Sequence, residues 1–272
     1  MQKTLSRSVQ CQGIGVHSAA PVTLTLSPLP ANSGIILERT DLSQNNRIDA
    51  RFDQVVDTRN CTVLQNAHGV SLSTIEHVMA ALCAYGITNV LIGVSGPEVP
   101  IMDGSSAPFM ELIAQAGIQD QMVSAPYIRI EKPIEVRLEN RFVRLEPSSS
   151  FSCKYSIDFN GRQGLAPQSH TYLHSLESFT GDICRARSFG FYEDAQRFWA
   201  MGLAKGSSLE NAVVIDNGHV MNPEGLHYFN EMVRHKILDA LGDSYLAGAQ
   251  IQGHMICHNG GHDLNSMILQ KV

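Results

Sequence analysis

The stretch IRIEKPIEVRLENRFVRLEP, at residues 128–147, contains three short runs in which apolar and polar residues alternate. Alternation with a period of two is typical of half-buried β-strands. CKYSIDF, at residues 153–159, continues the pattern as a fourth strand. Because these strands follow one another with no helical segment between them, they predict a largely antiparallel sheet and not a parallel βαβ arrangement.

The first half of the chain has the same order of elements. VTLTL (22–26) alternates, GIILER (34–39) is predicted to be its partner, and NVLIGVSG (89–96) is predicted to be a more buried strand. Helices are predicted at 73–84, from Pro108 to a stop at Gly117, and in the second half near 173–183 and 230–246. Strands precede helices in both halves, which predicts an α+β fold with two domains, 1–124 and 125–272.

Composition excludes several classes of protein. The 272 residues are 43% hydrophobic and 17% charged, which is ordinary for a soluble globular protein. The net charge of −6 argues against a general affinity for nucleic acid or for anionic membranes. Six scattered cysteines without a CxxC pattern predict free thiols in the cytoplasm. We expect no signal peptide, and no membrane segment because Gly86 and Asn89 divide the most apolar stretch.

RHKILDALGD, at residues 234–243, places His235, Asp239 and Asp243 at intervals of four. On an α-helix this spacing returns the side chains to one face. The flanking residues are largely apolar, so the helix is predicted to be buried, where carboxylates are costly unless they are paired or bind a metal. A structural His–Asp hydrogen bond is the simpler interpretation of this segment alone, and a metal site needs a further ligand.

LSTIEHVMAALCA, at residues 72–84, offers that ligand. Ser73 and Glu76 match a capping box, so Glu76 alone is best explained as a helix cap. Together with His235 and Asp239, however, His77 completes a set of two histidines and one carboxylate. In that setting Glu76 becomes a candidate general base for the attacking water.

GHMICHNGGHDLNS, at residues 253–266, contains three more histidines at intervals of four. A rival metal site on one helix is disfavoured because MIC is typical of a strand and Gly260 and Gly261 would break a helix. We therefore predict His254 and His258 on one side of a strand, as surface residues. His262 is predicted on a flexible loop, as a general acid or oxyanion stabiliser oriented by Asp243.

Seven segments resemble, in the same order, the motifs of the UDP-3-O-acyl-N-acetylglucosamine deacetylases, which are the zinc amidases of lipid A biosynthesis. They are GIGVHS, STIEHVMAAL, EVPIMDGSSAPF, RARSFGF, GLAKGSSLENAVVID, VRHKILDALGD and GGHDLN, and they extend over nearly the whole chain. The resemblance implies two α+β domains of similar topology, each a mostly antiparallel sheet layered with helices, with the active site in the cleft between them.

The resemblance also implies metal-binding and catalytic roles. Zinc would be held by His77, His235 and Asp239, with iron(II) as the alternative metal for such donors. Glu76 would be the general base, and protonated His262 would support the tetrahedral intermediate or protonate the amine.

Further residues are assigned by the same resemblance. Asp243 matches the carboxylate that pairs with His262. Ser188 lies where the family usually has a threonine that steadies the oxyanion, and Phe189 follows it in the substrate pocket. Lys236 matches a lysine that lines this pocket. Arg141 replaces a lysine that often faces the nucleotide diphosphate.

Two segments depart from the family pattern. After SIDFN the chain reads GRQG (161–164) where the family commonly has His-Pro, near the expected nucleotide site. FGFYEDAQRFWAMGLA (189–204) corresponds to the acyl-chain passage, an insert of the second domain, and its Phe198 and Trp199 are bulky enough to shorten or redirect that passage.

The expected function is that of a cytoplasmic, monomeric, zinc-dependent amide hydrolase. Its substrate would be a UDP-linked acylated amino sugar, UDP-3-O-(3-hydroxyacyl)-N-acetylglucosamine, from which it would remove acetate. Two alternatives stand beside it: a family member that deacetylates another N-acetylated amino sugar, and a non-catalytic binding relative. The second predicts the loss of at least one chemical group, whereas the complete set is present.

Overall fold

Short strands make up most of the first half of the chain, and two helices lie in its later part. The computed structural model describes residues 1–272. The elements of this half are β1 (Gln2–Leu5), β2 (Val9–Ile14), β3 (Pro21–Pro28), β4 (Ile35–Arg39), β5 (Arg47–Asp49), β6 (Val55–Asp57), β7 (Val63–Gln65), β8 (Ser71–Ser73), α1 (Glu76–Tyr85), β9 (Val90–Val94), α2 (Ala107–Ala116) and β10 (Ile118–Gln121).

The second half contains nine strands and four helices. They are β11 (Tyr127–Arg129), β12 (Ile134–Leu138), β13 (Arg141–Pro147), β14 (Ser152–Ile157), β15 (Gln168–Leu173), α3 (Leu176–Ser178), β16 (Phe189–Phe191), α4 (Tyr192–Ala200), β17 (Val213–Asp216), β18 (His219–Val220), α5 (Glu231–Ser244), β19 (Gln250–His258) and α6 (His262–Leu269). A π-helical turn, Phe179–Ile183, continues α3.

The main sheet of the first half has the strand order β2-β3-β9-β4-β5. The buried strand β9 therefore lies between β3 and β4, and it is antiparallel to β3 and parallel to β4. The predicted pairing of VTLTL with GIILER was wrong, because the more apolar β9 occupies the centre and separates them. The prediction that residues 90–94 form the more buried strand was correct.

The main sheet of the second half has the order β12-β13-β19-β14-β15, with β11 also paired to β19. The three strands predicted in residues 128–147 are β11, β12 and β13, and the fourth is β14. Ten of the fourteen strand pairings in the chain are antiparallel, which confirms the predicted α+β class with mostly antiparallel sheets.

Every strand pairing joins strands from the same side of residue 124. This agrees with the division into domains 1–124 and 125–272, which stays a prediction, since the buried apolar residues of both halves form one continuous cluster of 56 residues. No helix combines the length and the apolar character needed to cross a bilayer.

Helix α1 begins at Glu76 and not at Ser73, so the predicted capping box was wrong. Ser73 belongs to β8, where it pairs with Val63 of β7. Thr74 then adopts a left-handed conformation, with φ of 59°, which separates the strand from the helix. The carboxylate of Glu76 is consequently free of any bond to Ser73 and accepts a hydrogen bond from the Thr62 N–H at 3.2 Å.

The other helix predictions were correct to different degrees. The one at 230–246 is α5, and the one near 173–183 is reduced to residues 176–183, since Leu173 ends β15. Helix α6 was missed, and His262 is its first residue and not part of a flexible loop. The two glycines do not break this helix, because Gly261 is extended and precedes it, a position that glycine occupies at little cost.

Helices α1 and α5 pack against each other at Gly242. A Cβ atom at that position would lie 2.1 Å from the carbonyl oxygen of Glu76 and 3.2 Å from the backbone nitrogen of Ala80. The absence of a side chain thus lets the two backbones approach closely. This contact sets the distance between Glu76 and His77 on α1 and the polar residues of α5.

Two further backbone contacts join the halves of the chain near the same region. Gly104, in the turn before α2, accepts a hydrogen bond from the Ser188 N–H at 2.8 Å, and a Cβ at 104 would lie 2.0 Å from the Asn211 carbonyl oxygen. Similarly, the Gly206 N–H donates to the Val16 carbonyl at 3.0 Å.

Candidate active site

Three side chains of types that can bind a metal, His77, His235 and Asp239, converge between α1 and α5. The Nε2 atoms of His77 and His235 lie 3.8 Å and 3.3 Å from Oδ1 of Asp239. All three residues are buried, and their ligand atoms lie within 4.8 Å of one another. No other group of histidine, cysteine or carboxylate side chains in the chain converges in this way, including the histidines at 254, 258 and 262.

The hydrogen bonds around these donors fit a metal ion. Oδ1 of Asp239 is buried without a hydrogen-bond partner, whereas Oδ2 accepts from Lys236 at 2.5 Å. Nδ1 of His235 lies 3.0 Å from the Ala186 carbonyl, so it carries the proton and leaves Nε2 with a free lone pair. Burial lowers the pKa of His77 to about 3, which keeps its ring neutral.

Glu76 lies beside the donors, in the first turn of α1. Its carboxylate is buried, and burial raises its pKa to about 7, although the positive charge of His262 opposes the shift. A carboxyl group with a pKa near neutrality can accept a proton and later release it, as a general base requires.

His262 faces Glu76 from the start of α6, with 3.9 Å between Nε2 and Oε1 of Glu76. Its Nδ1 lies 2.7 Å from Oδ2 of Asp243, a carboxylate that also accepts from Thr62 and Asn265. Burial alone would lower the pKa of His262, but the charge and hydrogen bond of Asp243 outweigh it and raise this pKa to about 9. The ring is therefore protonated at neutral pH and can donate a proton.

Ser188, Phe189 and Lys236 also border the three proposed ligands. The Ser188 hydroxyl oxygen lies 3.3 Å from Nε2 of His235, and the Lys236 ammonium lies 5.9 Å from the centroid of the Phe189 ring. Together with Asn60 they line a polar cavity of about 120 Å³ that also contains the three donors, Glu76 and His262.

A second, largely apolar cavity of about 250 Å³ opens from the first. Five residues line both cavities: Asn60, Glu76, His77, Ser188 and Phe189. Its apolar walls extend away from the donors and include Phe191, Ile101, Phe198, Leu203 and Val214. The arrangement can thus hold a polar reacting group beside the donors and an apolar chain beyond it.

A family model described as LpxC, UDP-3-O-acyl N-acetylglycosamine deacetylase, matches residues 2–272. The chain belongs to this family. It is 45% and 46% identical, over all of its 272 residues and 89% of each relative, to proteins of Shewanella loihica and Shewanella halifaxensis. A protein of Shewanella baltica is 44% identical over the same span. All three are named UDP-3-O-acyl-N-acetylglucosamine deacetylase.

Members of this deacetylase family are hydrolases that act on an amide, and the chain is therefore an enzyme of that class. Sequence reasoning missed Thr62, whose N–H donates to Glu76 and whose hydroxyl donates to Asp243 at 2.6 Å. It lies in a loop and no pattern marks it. The bonds of Arg187 to Glu231, which hold the loop that carries Ser188, were also missed, although Arg187 stands in the RARSFGF segment and Glu231 lies two residues before VRHKILDALGD.

Arg141, Phe198, Trp199 and the GRQG segment, which were singled out as departures from the deacetylase pattern, lie outside the polar cavity. The Arg141 guanidinium donates to Asp263 at 2.5 Å and to the Asn259 carbonyl at 2.9 Å. Trp199 is 44% exposed and donates to the Ala204 carbonyl, whereas its neighbour Phe198 lines the apolar cavity. The GRQG segment packs, through Arg162, against Glu193 and Asp194 at the start of α4.

His254 and His258 lie on the same side of β19, as predicted, and both are half-buried. Each has a partner that the sequence did not reveal, since their Nδ1 atoms lie 2.7 Å from the Ser152 hydroxyl and 3.0 Å from the Ser156 hydroxyl. They are therefore structural residues of the sheet and not exposed surface histidines.

Proposed function

We propose that this protein removes acetate from UDP-3-O-(3-hydroxyacyl)-N-acetylglucosamine in lipid A biosynthesis. The observation that carries the proposal is the joint lining of two cavities, a polar one with metal donors, base and acid, and an apolar one that opens from it. Family membership and the names of the relatives support the same substrate.

His77, His235 and Asp239 are the proposed ligands of a zinc ion, with iron(II) as the alternative metal. When bound, zinc supplies a Lewis acid that acidifies water and polarises the acetamide carbonyl. The side chains of the protein provide the proton transfers. Glu76 takes a proton from the attacking water, and protonated His262 supplies one to the leaving nitrogen.

The negative charge that develops on the carbonyl oxygen needs hydrogen-bond donors. His262, held in its protonated form by Asp243, faces the site and can supply one. The Ser188 hydroxyl lies beside the proposed metal ligand His235 and can supply a second. Lys236 and Phe189 border the position of the sugar. Arg141 is proposed to contact the nucleotide diphosphate, and for this it must share its guanidinium with Asp263.

We assign the acyl chain to the apolar cavity, because the walls of this cavity offer mainly apolar contacts, which suit a hydrocarbon chain. The protein is proposed to act as a monomer. The compartment proposed is the cytoplasm, and five of the six free cysteines are buried, in keeping with a reducing environment.

The test is acetate release by zinc-loaded protein from three compounds: the acylated substrate, UDP-N-acetylglucosamine without an acyl group, and a different N-acetylated amino sugar. We expect acyl-dependent release, lowered by Glu76→Gln about 10²- to 10⁴-fold at unchanged zinc content. Glu111→Gln, an exposed substitution on α2, is the matched control and should retain activity.

Acetate release from the other amino sugar alone would overturn the proposed substrate, and the protein would then be a deacetylase of that amino sugar. Stoichiometric zinc without release from any compound would overturn the enzymatic proposal and favour a binding role.

A further inference from the structure

The GRQG loop, Gly161 to Gly164, contacts residues that line the apolar cavity. The Arg162 guanidinium stacks on the ring of Phe191, 3.7 Å from its centroid, and Phe191 itself lines the cavity. Arg162 also forms ion pairs with Glu193 and with Asp194, the second at 2.8 Å. One arginine thus contacts the last residue of β16 and the first turn of α4.

Helix α4 depends on such polar contacts for its position. It forms part of the cavity wall through Asp194, Ala195 and Phe198, yet none of its residues is buried. A helix without a buried face gains little from apolar packing. The planar guanidinium can bind two carboxylates and a ring at once, which a lysine cannot reproduce.

The next residue of the loop contacts the strand pair beside β16. Oε1 of Gln163 accepts a hydrogen bond from the Gly218 N–H at 3.2 Å, in the turn between β17 and β18. A Cβ at 218 would lie 2.3 Å from the Gln163 carbonyl oxygen, so the loop rests directly on this turn. Val214 of β17 lines the cavity.

We infer that the GRQG loop, acting mainly through Arg162, is a specificity-determining element that fixes the apolar cavity to the length of one acyl chain. The inference rests on the proposed function, because it assumes that the cavity receives the acyl group. Arg162 touches neither the metal donors nor Glu76, and it acts by positioning α4 and Phe191. Its loss should loosen the wall and weaken discrimination between chain lengths.

The experiment compares wild-type protein with Arg162→Ala, Arg162→Lys and the matched control Arg197→Ala. Arg197 also pairs with Asp194, at 2.5 Å, but it is 78% exposed and contacts neither Phe191 nor the loop. For each zinc-loaded variant, kcat and KM are measured on UDP-3-O-acyl-N-acetylglucosamines that differ only in acyl length. Binding of 3-hydroxy fatty acids of the same lengths is measured by calorimetry.

We expect Arg162→Ala to raise KM for the preferred chain about three- to tenfold, with kcat nearly unchanged. The preference among lengths should flatten, Arg162→Lys should be intermediate, and Arg197→Ala should resemble wild type. General destabilisation would instead lower kcat equally for all lengths and shift the melting temperature, and that result would overturn the inference, as would an unchanged length profile.

The binding measurement separates this inference from the proposed function. If wild-type protein releases no acetate but Arg162→Ala still flattens the fatty-acid profile, the proposed reaction fails and the role of the loop stands. If acetate is released and the two profiles of Arg162→Ala match those of wild type, the reaction stands and the role of the loop fails.

Discussion

Asp243 controls the protonation of His262 more directly than any other residue. The groups that face His262 are Glu76 on α1 and Asp239 and Asp243 on α5, and Asp243 alone forms a hydrogen bond with the ring among them. Activity that needs the protonated ring is lost as pH rises through its pKa. Asp243→Asn removes a negative charge and lowers this pKa, so the alkaline decline of kcat should move to lower pH.

The measurement is a pH profile of kcat for wild type and Asp243→Asn. The control is Asp263→Asn, which removes the carboxylate of the residue that follows His262. This carboxylate pairs with Arg141 and not with His262. An alkaline limb that stays in place in Asp243→Asn would contradict the assignment of His262 as the acid.

The convergence of His77, His235 and Asp239 could be predicted from the sequence, because the spacing of His235 and Asp239 encodes one face of a helix and His77 stands beside a carboxylate at a helix start. Their role as metal ligands stays a prediction. Thr62 could not be found in this way. It lies in a loop, and its contacts with Glu76 and Asp243 arise only when α1 and α5 pack together.

At the scale of elements, Gly242 should respond to substitution in the opposite sense to an ordinary helical glycine. Glycine to alanine in an exposed helix stabilises by roughly 1 kcal/mol. At 242 the added Cβ meets the Glu76 carbonyl, so Gly242→Ala should lower the free energy of unfolding by about 1–3 kcal/mol.

Chemical denaturation of Gly242→Ala measures this loss. Gly181→Ala is the matched control, because Gly181 is also helical but a Cβ there meets nothing within 4 Å. Equal stability of the two variants would contradict close packing of α1 on α5.

Arg187 and Glu231 form a buried ion pair that joins the Ser188 loop to the start of α5, with 2.8 Å between Nε and Oε1. Removing one partner leaves an uncompensated charge in the interior, so Arg187→Met should cost about 3–5 kcal/mol of unfolding free energy. Replacing both residues by methionine should recover part of that loss, and denaturation of the single and double variants tests this. A double variant as unstable as the sum of the single ones would contradict coupling.

The same pair has a consequence for acid stability. Burial would raise the pKa of Glu231, but its hydrogen bond to Arg187 outweighs burial and lowers it. This contribution to stability is fully present above the ordinary glutamate pKa and is lost as pH falls through the lowered one.

The helix predictions failed where local signals compete. The capping box at Ser73 was plausible by its residue types, but pairing of β8 with β7 removed Ser73 from the helix. Helix α6 was missed because a pair of glycines predicts the end of a helix. In the structure Gly261 is extended and stands immediately before the first residue of α6.

For the whole molecule, metal binding should stabilise the fold, since the proposed ligands come from both halves of the chain. A ligand that binds only the folded state adds about 2.7 kcal/mol at a hundred times its Kd. Zinc added to chelator-treated protein should therefore raise the melting temperature with concentration. His77→Ala should abolish most of that rise, and His254→Ala, outside the site, should keep it.

The α+β class was predictable from the order of strands and helices, whereas the strand order within each sheet was not. The alternation of apolar and polar residues shows which side chains face a core. It does not show which strands pair, because β3 and β4 could each pair with any apolar strand. The placement of β9 between them depends on contacts distant in the sequence.

Two segments of the sequence GSS, at residues 104–106 and 206–208, lie where the two halves of the chain meet near the cavity, with Gly104 beside Asn211 and Gly206 beside Val16. Such motifs resemble anion-binding loops, yet here a missing side chain lets carbonyl and amide groups of one half meet those of the other. Among related sequences, these two glycines should therefore stay fixed while the side chains around them diverge, because they join the two halves of the chain through backbone contacts.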